Sequence, residues 1–142
     1  NIYEDDLVEV SMGIPKFEPM EIPFLTKERK LLYGLNIDNK EIEINALSLG
    51  NPHAVLQVAN INNAPVGKIG PLIENHSNFP NRTNVGFMHI IDRNNIELRV
   101  HERGAGETAA CGTGACAAVI SGQKLGFLDK EVNVQLLGGQ VW

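Results

Sequence analysis

The residues Glu102-Arg103-Gly104-Ala105-Gly106-Glu107-Thr108-Ala109-Ala110-Cys111-Gly112-Thr113-Gly114-Ala115 bring a thiol, two carboxylates and a guanidinium together around four glycines. Glycine lets a backbone turn sharply and approach a ligand closely. Cys111 falls at the expected start of a helix, where unpaired amides and the positive end of the helix dipole stabilise a thiolate. The amides of Gly112, Thr113 and Gly114 are suited to hold a carboxylate or phosphate. A thiol beside an anion cradle is chemistry for proton transfer or nucleophilic attack on a small anionic substrate. Spacing alone fits equally well a small buried cysteine beside a tight glycine turn. Gly112-x-Gly114-x-x-Ala117 also matches a loose dinucleotide fingerprint, but a polar loop separates it from any strand, and parallel β-α-β alternation is not evident, so nucleotide binding is not expected.

A second group is Gly50-Asn51-Pro52-His53, which breaks the chain between two strand-like runs and projects an amide and an imidazole from a strand end. Histidine is a natural acid or base near neutral pH, although a turn histidine is ordinarily polar surface. Asn84, Glu102 and Arg103 likewise have ordinary readings as a turn residue, a solvated strand end and a surface ion pair. Cys116 lies five residues after Cys111, about 140° around a helix, so the two thiols do not pair and Cys116 is expected to fill core. His76, His89 and His101 form no metal-ligand spacing, and no metal is assigned.

These groups need elements to hold them. Ile96 to Glu102 alternates apolar and polar residues throughout, as a strand with one buried face requires. Asp92 to Asn95 reads as a turn, which makes Val85 to Ile91 the hairpin partner. Glu41 to Leu49 and Ala54 to Ala59 are further strands, Leu7 to Val10 and Lys30 to Ile37 weaker ones. Pro65 to Asn75 is a poor helix candidate because of Gly67, Gly70 and Pro71. Thr113 to Leu125 is a better one, with hardly a charge before Lys124, and should be buried along most of its circumference. Gly126 is its expected stop, followed by a strand at Val132 to Leu137 and a Gly138-Gly139 turn.

The chain has 142 residues, 43% of them hydrophobic, 20% charged and 6% aromatic, which suits one folded domain over residues 1–142. Its formal charge of -5 argues against nucleic acid as a partner. No apolar run approaches the roughly 18 residues of a membrane span. Two unpaired cysteines make a reducing cytoplasm the expected compartment. Asn1 to Asp6 has neither an initiator Met nor a secretory layout, and Trp142 follows closely on a turn, so a piece of a longer protein is expected.

Gly-Asn-Pro-His at 50–53, Phe-Pro-x-Arg-x-Asn at 79–84, Glu-Arg-Gly-Ala-Gly-Glu-Thr at 102–108 and Ala-Cys-Gly-Thr-Gly-Ala at 110–115 together resemble the C-terminal half of the diaminopimelate epimerases. The resemblance implies an α/β fold of α+β type: a mixed, mostly antiparallel sheet curled around a central hydrophobic helix, one of two pseudo-symmetric halves with the site between them. It implies epimerisation of LL- and meso-diaminopimelate without cofactor or metal, in lysine and peptidoglycan precursor synthesis, by a thiolate that removes the α-proton and a thiol that delivers one to the other face. By the same resemblance Cys111 is one of the two thiols, and Glu102 and His53 manage thiol protonation. Asn51, Asn84, Glu102 and Arg103 hold the distal amino acid end, and the amides of Gly112 and Thr113 bind the α-carboxylate. The N-terminal half is then the required partner, and a homodimer is compatible with the family. The second cysteine motif, of Gly-Asn-Gly type, is not in these residues, and His101 stands where an aromatic is expected. Alternatives are a proline or hydroxyproline racemase of the same fold, or a module that binds amino acids without turning them over.

Overall fold

A computed structural model describes residues 14–108 and 112–136. A short 3-10 turn at Pro19–Glu21 precedes β1 (Tyr33–Ile37), β2 (Lys40–Ser48), β3 (Pro52–Gln57), α1 (Val66–Glu74), β4 (Asn84–Asp92), β5 (Asn95–Glu102), β6 (Gly106–Thr108), α2 (Gly112–Lys124) and β7 (Asn133–Leu136). The strands form one mixed sheet in the order β1-β2-β3-β4-β5-β6, with β7 beside the first half of β5. β3 with β4 and β5 with β7 are parallel, and the other pairs are antiparallel.

Each parallel pair is bridged by a helix, as parallel neighbours require. β5 runs opposite to β3 and β4, and both crossovers step the same way across the sheet. Keeping both right-handed therefore places the two helices on opposite faces. The two cores show this division. Ile44, Ala46, Ala54, Leu56, Val85 and Phe87 pack with Val66 and Ile73 of α1, while Leu47, Val55, Met88, Leu98 and Val100 pack with Ala115 to Ile120 of α2. Central strands covered on both sides are buried nearly continuously, which is why β3 and the start of β4 read as apolar runs without alternation.

α2 is buried at every position from Gly114 to Gly122, so its missing polar face is explained by its burial. It ends in a Schellman motif: Gly126 takes φ +85°, its amide bonds to the Gln123 carbonyl at 3.0 Å, and the Phe127 amide bonds to the Gly122 carbonyl at 2.8 Å. α1 forms although Pro71 lies inside it, and at Gly70 the glycine is required by space, since a Cβ there would lie 2.8 Å from the His101 ring.

Most expected elements are present, with shifted ends. Only Tyr33–Ile37 of the run from Lys30 is strand, and the strand expected from Ala54 begins at Pro52. The loop expected between the Ile96–Glu102 strand and the long helix contains β6, too short and too rich in glycine to show periodicity. Leu7 to Val10 and the Gly138-Gly139 turn lie outside the described residues.

A Cβ at Gly122 would run into the buried side chain of Leu128. Gly122→Ala therefore loses about 1–3 kcal/mol to overpacking, more than the ~1 kcal/mol gained in helix propensity. The urea midpoint of the chain should fall, and a rise would show that Leu128 yields freely.

Candidate active site

The sheet register sets one row of polar residues. His53 pairs with Asn84 across the parallel β3–β4 ladder, and Val85 pairs with His101, which puts Asn84 and Glu102 at the same end of β4 and β5. Side chains alternate between faces along a strand. His53 shares its face with Val55, Asn84 with Met88 and Glu102 with Val100, and all three of those apolar residues pack with α2. Ser121 and Leu125, late in α2, line a cavity with Val55, Gln57 and Met88, farther along β3 and β4. The helix thus begins toward the His53–Asn84 end, where Gly112 is exposed and Thr113 half-buried. Fold and register bring His53, Asn84, Glu102 and the start of α2 to one end of the sheet.

The turn before β3 is held by its own backbone. Gly50 adopts φ +92°, its amide bonds to Ser48 Oγ at 3.2 Å, and the Leu49 amide bonds to the Asn51 carbonyl at 3.1 Å. This turns His53 inward, where it is only 2% exposed, so the surface reading of a turn histidine does not hold. Its Nε2 donates to Asn51 Oδ1 at 3.1 Å. An amide oxygen only accepts, so this bond selects the Nε2–H tautomer and leaves the lone pair on Nδ1. Burial, and then the charge of Arg103, lower the His53 pKa to about 4, and the imidazole is neutral at pH 7.

Asn84 works as a strut. Its Nδ2 donates to the Pro52 carbonyl at 3.0 Å and its Oδ1 accepts the Arg103 amide at 2.8 Å, tying the His53 strand to the turn between β5 and β6. Arg103 is exposed; its Nη1 reaches the Asn81 carbonyl at 3.2 Å, and among the described residues its guanidinium makes a backbone contact where a surface ion pair was expected. Glu102 is half-buried, and its carbonyl accepts the Ala105 amide at 3.0 Å. Cys111, with Ala109 and Ala110, lies outside the described residues. Cys116 is 6% exposed within the α2-side core, and burial raises its thiol pKa.

Sequence reasoning missed two ionic groups that shape this end of the sheet. Glu74, buried at the last turn of α1, accepts from His101 Nε2 at 2.7 Å, the Gly104 amide at 2.8 Å and Arg82 Nη1 at 3.1 Å. Arg99 and Glu107 form a two-bond ion pair at 2.7 and 2.9 Å, and Arg99 Nη1 also donates to the Ile61 carbonyl at 3.1 Å. His101 in place of an aromatic was the visible signal for the first group: a ring nitrogen facing a core needs a partner.

A family profile described as diaminopimelate epimerase matches residues 45–142. The chain is 56% identical over 140 residues to the diaminopimelate epimerase of Nitrosomonas europaea, covering 99% of this chain and 51% of that protein. It is 51% identical to those of Nitrosospira multiformis, over 97% of the chain and 50% of that protein, and of Pseudomonas savastanoi pv. phaseolicola, over 99% and 51%. The chain belongs to the diaminopimelate epimerase family, and it spans about half the length of the curated relatives it matches.

The depressed His53 pKa makes stability depend on pH. The unfolded chain takes up this proton near 6.5 and the folded chain only near 4, so the contribution is intact above pH 6.5 and falls as pH drops toward 4. The loss across that window is on the order of 3 kcal/mol. Urea unfolding at pH 7 and 4.5 should show His53→Gln losing much less stability than the parent, and equal losses would mean that His53 is protonated in the fold.

Proposed function

We propose that the protein carrying this chain is a cofactor-independent epimerase that interconverts LL- and meso-diaminopimelate, and that these 142 residues supply one wall of its site as a single domain. The observation that carries the reading is the gathering of His53, Asn84 and Glu102 on the α2 face of three adjacent strands, with Asn51 and Arg103 bonded to members of that row. Family membership supports it.

In this mechanism a cysteine thiolate removes the α-proton, and the electron pair left on carbon is delocalised into the α-carboxylate. The amides of Gly112 and Thr113 hold that carboxylate and stabilise the charge that develops on it. A thiol on the opposite face gives its proton to the α-carbon, which inverts the centre and leaves the two cysteines with exchanged protonation states. Cys111 is one of the pair. Cys116 is unsuited to be the other, because it is packed among apolar residues of the α2-side core. The second thiol and the facing wall therefore come from residues outside these 142. Neutral His53, with its lone pair on Nδ1, is in the form that accepts a thiol proton, and Glu102 shares that task. Asn51, Asn84, Glu102 and Arg103 hold the distal amino acid end. The activity belongs to lysine and peptidoglycan precursor synthesis, and the compartment is the cytoplasm.

With LL-diaminopimelate in deuterated water, the full-length protein should place deuterium at the α-carbon as it makes the meso isomer. Cys111→Ala should reduce turnover at least about 100-fold, the usual scale for a lost acid or base. The 142-residue chain alone should give none. Turnover by that chain alone, or by Cys111→Ala, would overturn the two-thiol reading. Limited alkylation of the folded chain should label Cys111 before Cys116, and the reverse order would remove Cys111 from the chemistry.

A further inference from the structure

Arg82 belongs to the Phe-Pro-x-Arg-x-Asn motif, yet the mechanism above gives it no task, and Glu74 belongs to no motif at all. Both converge on the turn that presents Glu102 and Arg103. That turn has two consecutive backbone amides, Arg103 and Gly104, each gripped by a buried side chain from a different element. Asn84 Oδ1 at the start of β4 accepts the first at 2.8 Å, and Glu74 Oε2 at the end of α1 accepts the second at 2.8 Å. The Glu74 carboxylate is fixed in turn by Arg82 Nη1 at 3.1 Å and by the buried His101 Nε2 at 2.7 Å.

Glu74 is unfavourably placed by its own helix, since a carboxylate at a C-terminus meets the negative end of the dipole. A buried charge persists only when hydrogen bonds and counter-charges replace its hydration. Here burial would raise the Glu74 pKa, but the bonds from His101 and Gly104 and the charges of His101 and Arg82 outweigh it and hold the carboxyl below its ordinary value. Arg82 reaches the site from a left-handed backbone, φ +64°, which few non-glycine residues adopt. One of the partners of the Glu74 carboxylate is the Gly104 amide, in the very turn that carries Glu102 and Arg103.

We propose that Glu74 is a positioning residue for the epimerase site, with Arg82 as its charged brace: together they set the Glu102–Gly104 turn so that Arg103 and Glu102 meet the distal end of the substrate. This rests on the epimerase reading. The effect falls mainly on substrate capture, because the residues displaced are those that hold the end remote from the reacting carbon.

The test uses the full-length protein and two readouts. In Glu74→Gln an amide oxygen replaces a carboxylate and loses the Arg82 charge pair, so KM for diaminopimelate should rise about tenfold with a smaller fall in kcat. Independently of any activity, hydrogen exchange at the Gly104 amide should quicken at least about tenfold. Arg82→Met, at a half-exposed side chain, should raise KM about threefold with little change in melting temperature, and Arg82→Lys should recover most of it. If Glu74→Gln does not fold, Arg82→Met and Arg82→Lys decide the matter. A folded variant with lowered stability but parental KM and parental Gly104 exchange overturns the proposal. A parent protein that does not epimerise diaminopimelate at all sinks the epimerase reading instead, and Gly104 exchange then still reports whether the brace exists.

Discussion

A helix that carries a single charge and is buried at nine consecutive positions has to be covered on every side there, and that requirement organises this domain. α2 cannot rest on a sheet with one face to solvent; its small residues, Ala115, Ala117, Ala118 and Gly122, let β2, β3, β4 and β5 approach closely while surrounding parts of the chain close over the rest. The register of β3, β4 and β5 follows from this packing, since a slip of one residue would turn Val55, Met88 and Leu98 away from the helix. The same register places His53, Asn84 and Glu102 in a row. The polar end of the sheet is thus aligned by the apolar core beneath it.

Electrostatics then refine what packing has aligned. His53 is kept neutral by burial and by a nearby guanidinium, whereas Glu74 is kept charged by three donors, although the two are buried to a similar degree. The difference lies in the partners: Asn51 offers an uncharged oxygen, while His101, Gly104 and Arg82 offer protons and positive charge. The Arg99–Glu107 pair performs a quieter task, joining β5 and β6 to the segment after β3 and so bracing the far side of the same turn.

How much of this was legible in the residues depended on range. β5 announced itself by alternation and α2 by its unbroken apolar run, because both signals are local. α1 was nearly lost to Gly70 and Pro71; the glycine is there because His101, 31 positions later in sequence, occupies the space of a side chain. β6 left no trace because a three-residue strand has no period to read. The candidate site was suggested by motifs, but the motifs did not say that His53 is buried, since Arg103 and the strands around it come from elsewhere in the chain. The tie between Glu74 and His101 spans 27 residues and two elements, and no local pattern encodes it.

The reversed direction of β5 has one more result. In open sheets built from parallel units, ligands gather beyond the carboxyl ends of the strands. Here His53 and Asn84 stand at the amino ends of β3 and β4, while Glu102 stands at the carboxyl end of β5. The candidate site therefore sits where one crossover unit ends its helix and the other begins its own. Because the two helices lie on opposite faces, the electropositive start of α2 borders the His53–Asn84–Glu102 face of this end and the electronegative finish of α1 borders the other, so backbone polarity of opposite sign is parted by the sheet itself.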